Sequence, residues 1–256
     1  MSEQTTEPKE ELKNDMPSVT SVDGESKLVA SDSDVSLFAD EDKNSEELEK
    51  ILDIYKGEIR VHRDAVLGYY KTLMFEIKDQ MLRTGKDHKT FLEMAMGYFR
   101  DVVSKHDLDK LEDAEMCKYL ALRHYNHLTL GRYKLSYEEI EKGEYYIRKH
   151  REENLHHVEF GMYHMAKGDV FGEQHTPYMY TIYTMMEIVA DWCAVAEELG
   201  VDPIKWFGNM INKRKYVVPD YAEKQLIEYM RMLKPFLDEN RKLGRFGLHQ
   251  PDHCID

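Results

Sequence analysis

Residues 45–243 carry apolar positions at helical rather than strand spacing. Ile59, Val66, Tyr69, Leu73 and Ile77, with His62 among them, fall three or four residues apart and trace one stripe of a helix. Ser45-Glu46-Glu47-Leu48 offers a cap for its start, and Thr84-Gly85 breaks it after about Arg83. The same periodicity predicts helices over about 88–105, 111–127, 136–152, 155–167, 177–200 and 219–243. Asp202-Pro203 opens a short helix through Trp206. No sustained alternation of period two appears, and no hairpin signal joins two such runs. The expected fold is therefore all-α, a compact bundle of several helices over residues 45–245.

The pattern is missing at both ends. Residues 1–44 are rich in Glu, Asp, Ser and Thr and read as a disordered acidic tail, in which Val35-Ser36-Leu37-Phe38 is the one short apolar patch. Residues 246–256 read as a C-terminal tail. Of the net charge of −14, residues 1–43 hold 12 acidic and 4 basic side chains, or −8, which leaves −6 for the remainder. An acidic chain with no basic stripe lacks the footprint for duplex nucleic acid or anionic lipid, though not for a nucleotide held through a metal. No apolar run reaches membrane-spanning length. Cys117, Cys193 and Cys254 are too scattered for a disulfide framework or a Cys-based zinc site, so a reduced, cytoplasmic protein is expected.

Candidate chemistry lies in the histidines. Ten of twelve fall between His62 and His175, several beside acidic residues. Imidazole and carboxylate are the usual ligands of zinc, manganese, iron and nickel. His62 points where a core residue would, and taken alone a histidine there is more often a hydrogen-bonded core residue than a ligand. His106-Asp107 sits where a helix gives way to a loop, so two adjacent ligands could reach one ion, or Asp107 could simply cap the next helix. His156 and Glu159 share a helical face, with His157 on another; a solvent-exposed pair is the simpler alternative. His150 is a weaker member of that group.

Tyr180, Tyr183, Glu187 and Asp191 form one stripe in an apolar stretch. Buried carboxylates need a cation or a metal. No Lys or Arg occurs between Lys167 and Lys205, so a salt-bridge partner must come from another helix, and a ligand role for Asp191 gains weight. His124 and His127 read as a polar helix end. Met94, Met96, Met179, Met185 and Met186 read as core packing, as do Tyr69, Tyr70 and Trp192, although aromatics could also stack on a base.

His62, then His106-Asp107, then Asp191 resembles the H…HD…D arrangement of the HD-domain superfamily. Over about residues 55–207, His62-x-x-x-Val66, His106-Asp107-x-x-Lys110, Asn154-x-His156-His157-x-Glu159 and Met186-Glu187-x-x-x-Asp191-Trp192 are similar to DUF5662-type proteins, themselves similar to HD phosphohydrolases. The resemblance implies a helical bundle with a divalent ion (Mn, Zn, Fe, Ni, Co or Mg) held by His62, His106, Asp107 and Asp191. His156 or His157 would complete a second site. Asp109 departs from the family pattern, standing where Ser is usual.

The expected function is a metal-dependent phosphohydrolase acting on a small phosphorylated compound, a nucleotide among the candidates. Asp107 would orient the attacking water; Lys110, Arg63 or one of His156 and His157 would hold the phosphate and assist departure. Glu159 would fix a histidine tautomer. A di-iron oxygenase and a non-catalytic helical binding protein are the alternatives.

Overall fold

The computed structural model describes residues 41–160, 180–213, 216 and 218–244. Among them the chain is all-helical, with no strand. In order come α1 (Glu41–Arg83), α2 (His88–Asp101), a 3-10 turn (Val103–Lys105), α3 (Asp109–Glu112), α4 (Ala114–Leu128), α5 (Tyr137–Glu153), α6 (Ile182–Leu199), α7 (Pro203–Asn212) and α8 (Asp220–Leu243). The tail expected before Ser45, its Val35–Phe38 patch, the C-terminal tail and the part of the expected 155–167 helix beyond residue 160 lie outside the described residues.

Local chemistry explains most boundaries. Asp87 accepts from the amides of Lys89 and Thr90, and Asp113 from that of Met116, so each caps the helix it precedes. Asp113 thereby ends α3 and restarts the chain as α4, where periodicity alone reads one helix from about 111. Ser136 and Glu139 form a reciprocal capping box at α5. Thr181 caps α6, so that helix starts at Ile182 rather than near 177 and leaves Tyr180 ahead of it. Gly200 ends α6 at φ 67°, a conformation in which a β-carbon is strained. Ser45 is no cap: α1 already begins at Glu41.

The 43 residues of α1 run roughly 64 Å at 1.5 Å each, long enough to serve two cores. Near its start, Ile51 and Tyr55 pack with Met116, Cys117, Leu120 and Leu122 of α4 and Tyr146 of α5. Farther along, Val66, Tyr69, Tyr70, Leu73 and Ile77 pack with α2, α6 and α8. Of the predicted stripe, Ile59 is only partly buried and the rest is buried. Helix α6 is enclosed nearly all round, as its apolar composition requires: Met186, Ile188, Val189, Ala190, Cys193 and Ala194 are all inaccessible. No described helix is long and apolar enough to cross a membrane. His62 lies on α1 at the seam between the two cores.

Leu73 is inaccessible and belongs to the larger core. Leu73→Ala should therefore cost about 2–5 kcal/mol in urea unfolding. A loss below about 0.5 kcal/mol, the range of surface changes, would mean that α1 does not present this face to α6 and α8.

Candidate metal centre

Four parts of the chain converge at the seam. Helix α1 brings His62, and the turn after Lys105 brings His106 and Asp107. The end of α5 and the turn beyond it bring His150, His156 and His157, and α6 brings Glu187 and Asp191. His62, His106, Asp107, His150, His156, Glu187 and Asp191 are all buried. His156 and His157 sit in the turn that precedes residues 158–160, so it is the turn that aims them inward.

Asp107 has φ 55°, in the left-handed region that Asp tolerates better than bulkier residues. That reversal sends consecutive side chains, His106 and Asp107, into one space. It is clamped from α1, where Arg63 Nε donates to the carbonyl of His106 at 2.6 Å and its Nη2 to that of Ser104 at 3.0 Å. Arg63, expected as a phosphate contact, is thus committed to the backbone of the turn.

Asp107 belongs to one ligand group and stands beside another. On one side His62 Nε2 lies 3.1 Å and His106 Nε2 3.7 Å from Asp191 Oδ1, with Asp107 Oδ2 at 3.8 and 3.9 Å from the same two nitrogens. On the other, Asp107 Oδ1 lies 3.1 Å from His150 Nε2 and 3.5 Å from His156 Nε2, with His157 alongside. Lys110 Nζ donates to Asp107 Oδ2 at 2.8 Å.

Buried polar atoms normally have partners. Here His106 Nε2, Asp107 Oδ1, His150 Nε2, His156 Nε2 and His157 Nε2 are buried and make no hydrogen bond of acceptable geometry. The 3.1 Å approach of His150 to Asp107 does not qualify as one, because the two atoms aim past each other. Ligands about 2.05 Å from a tetrahedral ion stand about 3.3 Å apart, within the spread seen here. The residues present therefore fit a divalent cation in either group.

A carboxylate backs the histidines from behind. Glu198 Oε1 is 2.7 Å from His62 Nδ1, Asp109 Oδ2 is 2.7 Å from His150 Nδ1, and Glu187 Oε1 is 3.3 Å from His106 Nδ1 and 3.7 Å from His156 Nδ1. Glu187 also accepts from Tyr98 Oη at 2.9 Å, and Asp109 from Asn154 Nδ2 at 3.0 Å. In the neutral ring that a metal needs, a proton held on Nδ1 by such an oxygen leaves the Nε2 lone pair free to face the centre.

The two sides differ in electrostatics. Burial pulls the His62 imidazole down, but its hydrogen bonds to the Asp191 and Glu198 carboxylates outweigh that and raise it to about 10. Burial likewise opposes His106, and the Asp107 charge with the Asp191 and Glu187 carboxylates beside the ring raises it to about 9. His156 is lowered by burial and by neighbouring His106, and His157 well below its usual value by burial and by His156 and His150. Desolvation opposes the charge on both aspartates. Lys110 and His106 nevertheless hold Asp107, and His106 and His62 hold Asp191, well below the usual carboxylate range.

All of the metal ligands expected from the sequence thus meet in one place, as do Lys110 and His157. Glu159 does not join them: its described ion pair is with Arg151 at 3.7 Å, and the backing of the rings falls to Glu187, Glu198 and Asp109. His150, ranked low from sequence, lies at the centre. Glu198 went unnoticed, although it lies seven residues after Asp191 on the same face of α6. His124 lies away from the centre and pairs with Glu58 at 2.5 Å. His164 and His175 fall outside the described residues.

A model of the DUF5662 family, a family of unknown function, matches residues 53–236. The chain belongs to that family, and the match covers every residue of the centre. No curated protein and no solved structure matches the chain.

Removing a backing carboxylate should loosen metal without unfolding the chain. Asp109→Asn and Glu198→Gln are each expected to weaken zinc binding about 10- to 100-fold in chelator competition. Glu159→Gln should leave it unchanged. Equal effects from all three would contradict the assignment of the backing groups.

Proposed function

We propose that this member of the DUF5662 family is a metal-dependent phosphohydrolase acting on a small phosphorylated compound, with a nucleotide as the first class to test. The observation that carries the reading is Asp107, whose two oxygens face two adjoining ligand groups while Lys110 lies against one of the oxygens. His62, His106, Asp107 and Asp191 would hold one ion, and Asp107, His150, His156 and His157 a second. Bound there, divalent cations supply Lewis acidity toward a phosphoryl oxygen and make water a better nucleophile at neutral pH.

The chain's own groups would do the rest. Asp107, its charge secured, would orient the attacking water between the two groups. Lys110 Nζ, at the edge of the centre with its side chain 19% exposed, can swing to an anionic substrate oxygen while staying within reach of Asp107. His157 is the least enclosed member of its group, and its ring is held neutral, a state that suits ligation or proton acceptance better than donation. Glu187, Glu198 and Asp109 keep the rings oriented throughout.

A di-iron oxygenase is the second reading, favoured by the three imidazoles that accompany Asp107 in its second group. Metal content separates the two. The protein should purify with, or take up, stoichiometric divalent metal, and should lose it in His106→Ala and Asp191→Ala variants that keep their helicity. Zinc or manganese with hydrolysis in a panel of nucleotides and phosphoesters, abolished by Asp107→Asn, is the expected outcome. Iron with an optical or paramagnetic signature would move the assignment to oxidation. Full loading with no turnover across the panel would sink the hydrolase, and failure to bind any metal would sink both readings and leave a helical binding protein.

A further inference from the structure

The outer face of α1 carries a second pattern. Ile54, Val61, Phe75 and Leu82 are 45, 37, 50 and 55% exposed, and with exposed Gly68 between them they recur every seven residues. Single exposed apolar side chains are ordinary, whereas a row held to one helix face over 28 residues, about 42 Å, is not. A strict seven-residue repeat is also the spacing that keeps one face toward a partner helix. Three residues after Val61 and Gly68 stand Asp64 and Lys71, both exposed on one flank of the row.

We propose that this face is where a second copy of the chain docks, with the two α1 helices antiparallel and Gly68 of each copy at the two-fold axis. The row is nearly its own complement under that operation. Reversal about Gly68 sets Val61 of one copy against Phe75 of the other, and Ile54 against Leu82. Gly68, without a side chain, lets the backbones come closest at the axis. Charge decides the direction. In the antiparallel pair Asp64 of each copy meets Lys71 of the other, twice by symmetry. A parallel, in-register pair would carry the two flanks to opposite sides of the contact and leave Asp64 and Lys71 without each other.

A strip roughly 42 Å by 10 Å is smaller than the ~800 Å² per partner of a typical stable complex, so the association is concentration dependent. The inference is independent of the metal centre, because Val61 and His62, though adjacent, do not share a face of α1: Val61 is exposed and His62 buried.

Sedimentation velocity on the full chain, from about 1 µM to about 100 µM, tests it. The mass should rise from 30.3 kDa toward twice that value. Val61→Glu and Phe75→Glu should each keep the protein monomeric through the range with unchanged helicity and metal content. They sit at separate exposed positions, so misfolding of one leaves the other as the test. Asp64→Lys should weaken association about tenfold or more, and Asp64→Lys combined with Lys71→Asp should restore it. A parent monomeric at every concentration, or a dimer indifferent to both glutamates, would overturn the proposal. A dimer lost with the glutamates but indifferent to Asp64→Lys would overturn the antiparallel register.

Discussion

Everything at the seam answers to the burial of Asp107. A carboxylate taken out of water loses several kcal/mol of solvation, and it stays ionised only if charges and donors are brought to it. Here Lys110 comes from three residues on, His62 from α1, His150 and His156 from the far end of α5 and beyond. The backbone pays as well, with a left-handed residue in a tight turn. Arg63 fastens that turn to α1 through two carbonyls, so the position of the carboxylate is set by a helix distant in sequence. The side chain that needs the most compensation is also the one that joins the two ligand groups.

The two-core layout explains why the centre forms where it does. The smaller core ties the start of α1 to α4 and α5, and the larger ties its later turns to α2, α6 and α8. Between them α1 offers His62 to a region bounded by apolar packing on both sides. Helix α6 supplies Glu187, Asp191 and Glu198 from one face of a largely apolar helix, whose further carboxylate, Glu197, accepts from Tyr69 instead. Rigid helices rather than loops therefore hold Asp191, His62 and the groups behind the rings. That rigidity suits a centre whose ligand atoms must converge on one point.

The sequence made the centre partly legible. His62, His106-Asp107 and Asp191 could be read from a spacing pattern, and Asp191 also from the lack of any Lys or Arg near it along the chain. What periodicity cannot give is the relation between elements. His150 belongs with Asp107 because the end of α5 folds back onto the turn after α2, a contact with no trace in local spacing. Asp109, which stands where Ser is usual in the family pattern, is the partner of His150 and Asn154. Glu198 could have been found: it continues the Glu187 and Asp191 stripe. The shifted boundaries have similarly local causes, since a capping Asp113 splits one periodic run into α3 and α4, and Thr181 delays α6.

Electrostatics orders the events at such a centre. Asp107, Asp191, Glu187, Glu198 and Asp109 all lie within reach of the imidazoles, whereas Lys110 is the one lysine or arginine side chain ion-paired to them among the described contacts. The raised His62 and His106 respond to that excess, since their protons are what the carboxylates attract when nothing else is offered. A cation therefore meets a favourable field before any anion does. An anionic substrate approaching the bare centre would be repelled, and a divalent ion reverses the sign of the field it meets. Under the proposed function, metal binding would therefore come before substrate binding, and the strength with which Glu198, Glu187 and Asp109 hold the imidazoles would set how firmly that first step is taken.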